Sequence, residues 1–190
     1  MSLAYGYTEE PKVELLNGEI VAMARPNVNH EMVMDNIKDL FKAHFRQRGG
    51  SCRIFAEVDV LLDDENHPVP DLSVVCNPDK IKLRGIFGAP DIIIEIASPS
   101  NAIRDRNYKK DLYERHGVNE YWIVDPLSRA IEQYFLKDGA YELKGYYHWP
   151  TDDFLAYAKE DEMRSYTKQF ACASFEGLEI DLEEVFTGMI

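Results

Sequence analysis

Hydrophobic and polar positions recur with different periods along the chain, and these periods predict its helices and strands. Apolar residues recur every three or four positions from Val33 to Phe45, which predicts an amphipathic helix that has Asn29 as its cap and stops at Gly49-Gly50. The nearly continuous apolar run at residues 91–97 is typical of a strand that is covered on both faces. We therefore expect that run to form the centre of a sheet.

Turn dipeptides and caps predict the remaining elements. Asn17-Gly18 and Asp138-Gly139 each separate two β-prone runs, which predicts two hairpins. A helix is expected from Asn101 to His116, capped by the segment at residues 98–101 and stopped by Gly117. Further segments are predicted as strands (52–62, 72–76 and 121–124), a basic glycine-containing loop (80–88) and a short final helix (182–186).

This order of elements predicts one α/β domain over residues 1–190, with a core at about 12–180 and a mixed β-sheet flanked by helices. The length of 190 residues and the composition, 45% hydrophobic and 29% charged, are those of a folded protein. No apolar stretch approaches the roughly 20 residues that a membrane span needs, and no signal peptide is recognisable. The expected location is the cytoplasm.

The three cysteines are widely spaced, so they are interpreted as core thiols rather than disulfide partners or zinc ligands.

The net charge of −13 argues against a protein that coats nucleic acid along its whole surface. The charge is unevenly distributed, however. Residues 150–190 carry ten acidic and three basic side chains, whereas residues 36–54 carry five basic and one acidic. A polyanion could therefore approach one face of the molecule.

The most informative anomaly is Glu95, a carboxylate within the apolar run, because burying an unpaired charge there is costly. Asp71 begins another strand-like segment. If the two strands are neighbours, their carboxylates can converge, and two oxygen donors with open positions suit Mg²⁺. The backbone carbonyl of Ile96 is a candidate third ligand. An ordinary buried salt bridge between Glu95 and a lysine or arginine is the alternative interpretation.

Asp91 lies on the same strand face as Glu95, but four residues along a strand span about 13 Å, which is too far to share an ion. It is interpreted as a strand-start or turn residue.

A step of about 100° per residue places Lys109 on the inward arc of the helix at 101–116 and Lys110 on the opposite side. Lys109 could then reach a nucleophilic water or a phosphoryl oxygen. The alternative is an i,i+4 ion pair between Asp105 and Lys109.

A run of motifs resembles the Uma-type restriction endonuclease family of the PD-(D/E)xK nuclease superfamily. The motifs are Pro70-Asp71, Glu95-Ile-Ala-Ser-Pro-Ser, Arg104-Asp105, Lys109, Tyr113, Gly117-Val118 and Glu120-Tyr-Trp-Ile-Val-Asp-Pro126. The resemblance implies a restriction-endonuclease-like core, cleavage of DNA phosphodiester bonds that depends on Mg²⁺ or Mn²⁺, Asp71 and Glu95 as metal ligands, and a homodimer. Ala97 stands where the superfamily has its lysine, and Lys109 on the following helix occupies the matching position of Uma-type chains.

Several positions are weaker candidates. Glu14 resembles an accessory acid of the superfamily, although an exposed strand glutamate is the simpler interpretation. His30 could position phosphate or water, or could be a core histidine. Asp105 and Tyr113 are further accessory candidates. The basic residues nearest to the predicted ligands are expected to contact nucleic acid: Lys80, Lys82, Arg84, Arg104 and Arg106. A non-catalytic module that binds nucleic acid or protein on a nuclease scaffold is the alternative to an enzyme.

Overall fold

The computed structural model describes residues 12–98, 105–163 and 166–190. Thirteen strands lie within these ranges: β1 (Val13–Leu16), β2 (Glu19–Ala22), β3 (Arg53–Ala56), β4 (Val60–Leu61), β5 (Leu72–Val75), β6 (Ile81–Lys82), β7 (Gly85–Phe87), β8 (Ile92–Ile96), β9 (Glu120–Asp125), β10 (Ala130–Lys137), β11 (Ala140–His148), β12 (Gln169–Ala171) and β13 (Glu179–Asp181). The α-helices there are α1 (Val28–Arg48), α2 (Lys110–Arg115), α3 (Asp152–Tyr157), α4 (Glu160–Met163) and α5 (Leu182–Val185).

The main sheet has six strands in the order β11-β10-β9-β8-β5-β3. Strands β8 and β9 are parallel, and every other neighbouring pair is antiparallel. The expected mixed sheet is therefore confirmed, and β8 lies in its interior as predicted. Ile94 packs in the cluster that contains the buried face of α1, while Ile93 packs in the cluster on the other face with Leu112 of α2. Burial on both faces explains why β8 is almost continuously apolar.

The cap of helix α1 lies two residues earlier than predicted. The side chain of Asn27 accepts a hydrogen bond from the backbone N–H of His30 at 3.0 Å, so Asn27 is the cap and the prediction of Asn29 is wrong. Asn29 lies in the first turn, and its side-chain amide donates to the carbonyl of Ile190 at 2.7 Å. Gly49, with φ of 71°, ends the helix as predicted.

The hairpin predictions at Asn17-Gly18 and Asp138-Gly139 are confirmed, since all four residues have positive φ, as a type I′ turn requires. The segment at residues 80–88 was expected to be a loop and that expectation is wrong. Strands β6 and β7 pair in an antiparallel hairpin, and β7 also pairs with β4 in parallel. The apolar residue Ile86 is almost completely buried there, and this burial favours strand pairing over an open loop.

The interpretation of all three cysteines as core thiols is wrong for two of them. Cys52 and Cys76 form a disulfide, with their Cα atoms 3.8 Å apart. The antiparallel register of β3 and β5 pairs Arg53 with Val75, so the next positions outward are Cys52 and Cys76. A pairing set by strand register cannot be inferred from the 24-residue separation in the chain. Cys172 is a buried free thiol, as expected.

None of the helices in the three described ranges is both long enough and apolar enough to cross a membrane.

Candidate active site

Asp71 and Glu95 face each other across two neighbouring strands. Leu72 of β5 pairs with Ile94 of β8, and continuing this antiparallel register by one residue places Asp71 opposite Glu95. Directly opposed residues project from the same face of a sheet, with Cβ atoms about 4.5–5.5 Å apart. The expected convergence of the two strands is confirmed. Both carboxylates are buried, with 7% of Asp71 and 2% of Glu95 exposed.

The carboxylate of Asp71 contacts the backbone of β8. Its Oδ2 atom accepts a hydrogen bond from the N–H of Ile96 at 2.6 Å, and its Oδ1 atom lies 3.1 Å from Nε2 of His30. Burial by itself lowers the pKa of His30, but the hydrogen bond and negative charge of Asp71 outweigh burial and raise it above its ordinary value. His30, near the start of α1, therefore contacts one of the two facing carboxylates, and its role in positioning phosphate or water stays a prediction.

Lys109 supplies the cation next to Glu95. Its Nζ atom lies 3.0 Å from Oε1 of Glu95 and 3.0 Å from Oε2 of Glu14, and all three side chains are buried. Glu14 comes from β1, and the interpretation of it as an exposed strand residue is wrong. Glu95 does form a buried salt bridge to a lysine, as the alternative interpretation expected. The same bridge brings Lys109 next to the Asp71–Glu95 pair, so it is compatible with the catalytic interpretation.

The predicted difference between the two neighbouring lysines is confirmed. Lys109 points into the site, whereas Nζ of Lys110 lies 4.6 Å from the ring centroid of Tyr134. The helix differs from the prediction in one respect, because residues Asp105–Lys109 form a π-helical turn before α2 begins. Such turns occur frequently at functional sites. Residues 99–104, including Arg104, and the side chains of Asp105 and Arg106 lie outside the described part of the chain.

Tyr113 fixes the position of Glu95. Its hydroxyl donates to Oε1 of Glu95 at 2.7 Å, and the ring is completely buried. Burial and the nearby charge of Glu95 raise the pKa of Tyr113 well above its ordinary value, so the phenol remains a hydrogen-bond donor. Lys109 and Tyr113 are four residues apart, which places both on one side of the helix.

Asp91 lies just before β8, at the end opposite Glu95. Its Oδ2 atom accepts a hydrogen bond from the N–H of Cys76 at 2.7 Å. This contact confirms the interpretation of Asp91 as a strand-start residue and separates it from the site.

Glu57 was missed by the sequence analysis. It lines the same pocket as Asp71 and Glu95, its backbone N–H donates to the carbonyl of Asp71 at 3.1 Å, and its side chain pairs with Lys12 at 2.7 Å. Its φ of 52° is uncommon for a residue other than glycine, and such conformations concentrate at functional sites. Nothing in the local sequence indicates that conformation, which accompanies the long-range contact with Asp71.

A second buried carboxylate, Glu120, has a structural role. Its oxygens accept hydrogen bonds from Trp122 Nε1 and Gln133 Nε2, each at 2.7 Å, and from the backbone N–H groups of Ala173 and Ser174. These donors fasten the segment after β12 to the main sheet. Burial alone therefore does not mark a catalytic carboxylate, and the neighbouring Lys109 is what distinguishes Glu95.

The predicted nucleic-acid contacts whose side chains the structure describes lie on the β6–β7 hairpin or beside it. Lys82 and Arg84 are exposed at its tip. Lys80 is half-buried, and its Nζ atom donates to the carbonyl of Ala89 at 2.6 Å, so this lysine supports the base of the hairpin.

The donor set fits Mg²⁺ better than a metal that needs several nitrogen or sulfur ligands. Across residues 12–98, 105–163 and 166–190, no group of three or more histidine, cysteine, aspartate or glutamate side chains is arranged to hold a metal ion. Mg²⁺ keeps several waters and commonly binds through one or two carboxylates. Asp71 and Glu95 offer that number, and the peptide of Ile96 lies against Asp71.

The mixed sheet flanked by helices has two facing carboxylates at its interior strands, with Lys109 of the following helical segment beside them. This arrangement defines a nuclease-like α/β fold of the restriction-endonuclease type. The family described as "Uma2: Putative restriction endonuclease" matches residues 3–156. The chain belongs to this family, as the motif resemblance predicted.

Relatives and a solved structure extend this comparison. The chain is 29% identical over 133 residues to the uncharacterized protein slr1290 of Synechocystis sp. (strain ATCC 27184 / PCC 6803 / Kazusa), covering 68% of this chain and 69% of that protein. It is 25% identical over 126 residues to sll1609 of the same organism, covering 65% and 71%. A crystal structure described as "a putative nuclease belonging to DUF820" from Anabaena variabilis ATCC 29413 has the same fold, with a TM-score of 0.69, 19% identity and coverage of 94% and 91%.

Proposed function

We propose that this protein is an endonuclease that hydrolyses DNA phosphodiester bonds with the help of a divalent metal ion. The observation that carries the proposal is the opposition of Asp71 and Glu95 on neighbouring strands, with Nζ of Lys109 at 3.0 Å from Glu95. Two carboxylates and one cation at a single point are the groups that metal-assisted phosphoryl chemistry requires.

Asp71 and Glu95 are the residues that would hold the metal, with the carbonyl of Ile96 as a third oxygen donor. When bound, Mg²⁺ or Mn²⁺ would polarise the scissile phosphate and lower the pKa of a bound water. His30 and Lys109 lie against the two carboxylates and offset their negative charge.

Hydrolysis requires that a water oxygen attack the phosphorus while one P–O ester bond breaks and the leaving oxygen gains a proton. The Lys109 ammonium lies between two carboxylates, so we assign to it electrostatic support of the attacked phosphate rather than the role of a base. Glu14 and Tyr113 position Lys109 and Glu95 respectively.

DNA is the proposed substrate, with Lys82 and Arg84 at the exposed hairpin as candidate phosphate contacts. A homodimer, which the family resemblance implies, would present two sites to the two strands of a duplex. Analytical ultracentrifugation of the full chain tests that assembly.

The proposal is tested with supercoiled plasmid DNA in Mg²⁺ or Mn²⁺. We expect the parent protein to nick or linearise the plasmid, chelation of the metal to stop the reaction, and Glu95→Gln to be inactive. Asp91→Asn is the matched control, because Asp91 belongs to the same strand segment but caps its other end. A folded parent that cleaves under none of these metal conditions would favour a binding module over an enzyme.

A further inference from the structure

The β6–β7 hairpin exposes a leucine between two basic residues. Leu83 is fully exposed at the tip, and the neighbouring Lys82 and Arg84 are exposed as well. A single exposed leucine is ordinary on a protein surface. What distinguishes Leu83 is its support and its surroundings.

The backbone beneath Leu83 is held closely against the rest of the protein. Gly85 has a φ of 145°, and a Cβ atom there would lie 2.6 Å from the carbonyl oxygen of Asp59 and 2.8 Å from Cδ1 of Leu61. Ile86, next to it, pairs with Val60 of β4 and is almost completely buried. The hairpin therefore presents Leu83 on a rigid support, which lowers the entropic cost of inserting it into a partner.

The base of the hairpin is also fastened. Lys80 donates through Nζ to the carbonyl of Ala89, and Asn77 caps the short helical turn at Pro78–Lys80. Lys80 thus closes the hairpin on the side away from its tip. This contact leaves Lys82 and Arg84 as the cations that flank Leu83 directly.

The hairpin segment itself carries a charge opposite to that of the chain as a whole, while Glu57 and Asp59 line the cavity beneath it. Residues 80–90 contain three basic side chains and no acidic one, in a protein with 34 acidic and 21 basic residues. Such a local reversal favours a polyanionic partner at this tip over a further protein surface of ordinary composition.

The hairpin lies beside the candidate active site. Glu57 borders the pocket that contains Asp71 and Glu95, and it also borders the cavity beneath the hairpin, together with Leu83 and Arg84. The hairpin is therefore within reach of a polymer whose scissile phosphate lies at Asp71 and Glu95.

We infer that Leu83 is an apolar wedge that enters duplex DNA, with Lys82 and Arg84 on the flanking phosphates. This inference rests on the proposed nuclease function and specifies double-stranded DNA as its substrate. Apolar side chains inserted at base steps unstack them and bend the duplex, while adjacent cations neutralise the backbone. Insertion would bend the DNA next to the candidate metal site.

The experiment uses the full chain and duplex DNA in Ca²⁺, which occupies a magnesium-type site while slowing cleavage. One set of duplexes carries a fluorescent end label for anisotropy at several salt concentrations. A second set carries 2-aminopurine at successive TA steps, which unstack readily. The variants are Leu83→Ser, the double variant Lys82→Gln/Arg84→Gln, and Leu143→Ser as the matched control.

Leu143 suits the control because it is an exposed leucine on β11, at the far edge of the main sheet, between one acidic and one basic residue. We expect the parent and Leu143→Ser to raise 2-aminopurine fluorescence, and Leu83→Ser to lose the increase while still binding. The double variant should bind more weakly, with a salt slope shallower by about 2, or about 1 for each lost phosphate contact.

An unchanged fluorescence increase in Leu83→Ser, or equal loss in Leu143→Ser, would overturn the wedge. A parent that does not bind duplex DNA would do the same. If Leu83→Ser altered only the oligomeric state, the hairpin would instead join copies of the chain. Plasmid cleavage in Mg²⁺ is measured separately. If the parent cleaves the plasmid but the hairpin variants give the parental fluorescence increase, only the wedge is rejected. If the parent does not cleave but its fluorescence increase depends on Leu83, only the nuclease function is rejected.

Discussion

Asp71 and Glu95 lie directly opposite each other on antiparallel strands, although 24 residues separate them in the chain. The register of β5 and β8 brings the carboxylates together, and Tyr113 and Lys109 from the next helical segment then bind Glu95. The site is therefore built on rigid interior strands, which is the arrangement that holds catalytic groups most accurately.

Removing either facing carboxylate should weaken metal binding. In Asp71→Asn, the amide oxygen can still accept the hydrogen bond from Ile96, but the negative charge is lost. We expect the affinity for Mg²⁺ or Mn²⁺, measured by isothermal titration calorimetry, to fall by more than about 10-fold in Asp71→Asn and in Glu95→Gln. Asp91→Asn should bind as the parent does. Parental affinity in both ligand variants would place the metal elsewhere.

Substitutions of Lys109 and of Lys110 should have unequal effects on DNA cleavage. Lys109→Gln removes the cation beside Glu95, so cleavage of plasmid DNA should fall by at least about 100-fold. Lys110→Gln changes a cation that lies over Tyr134 and should cleave nearly normally. Circular dichroism melts of both variants separate lost catalysis from lost folding. Equal losses of cleavage in two folded variants would contradict the assignment of Lys109.

Acid should weaken the hydrogen bonds that the carboxylate of Asp63 accepts from its neighbours. Burial alone would raise the pKa of Asp63, but hydrogen bonds from Asn66, from the N–H of Glu65 and from His116 lower it from 3.8 to about 2. A carboxylate with a lowered pKa in the folded state stabilises the fold above its unfolded pKa, and this contribution is lost as the pH falls from about 4 to about 2.

The corresponding measurement is the difference in melting temperature between the parent and Asp63→Asn. We expect the parent to melt at the higher temperature near neutral pH and the difference to shrink as the pH falls below about 4. Asp153→Asn is the control, because Asp153 is an exposed aspartate on α3. A difference that stays constant down to about pH 2 would show that the charge of Asp63 contributes nothing to folding.

The disulfide should stabilise the edge of the main sheet. Closing the segment between Cys52 and Cys76 restricts the unfolded chain, and the chain-entropy relation gives about 3.5 kcal/mol for a loop of this length. The double variant Cys52→Ser/Cys76→Ser should therefore melt at a lower temperature than the non-reduced parent. Thiol titration of the unfolded, non-reduced parent should detect Cys172 alone. Detection of all three thiols would show that the bond is absent.

Local chemistry along the chain is sufficient to specify several of its elements. Asn17-Gly18 specified a type I′ turn because both positions need positive φ, and the apolar run at 91–97 specified a buried interior strand. The helical period separated Lys109 from Lys110, because side chains on a helix keep a fixed angular relation wherever the helix packs. The motif run identified the family because it consists of residue types in a fixed order along the chain, which does not depend on how the chain packs.

Only the tertiary structure decided which distant groups meet. Glu14 is buried because β1 lies beside the helical segment that carries Lys109, and the backbone of Glu57, which has a positive φ, bonds to that of Asp71. The disulfide follows from the register of β3 and β5, which the spacing of the two cysteines does not encode. Strand register and the packing of elements are set by the sum of many long-range contacts, so no short stretch of sequence contains them.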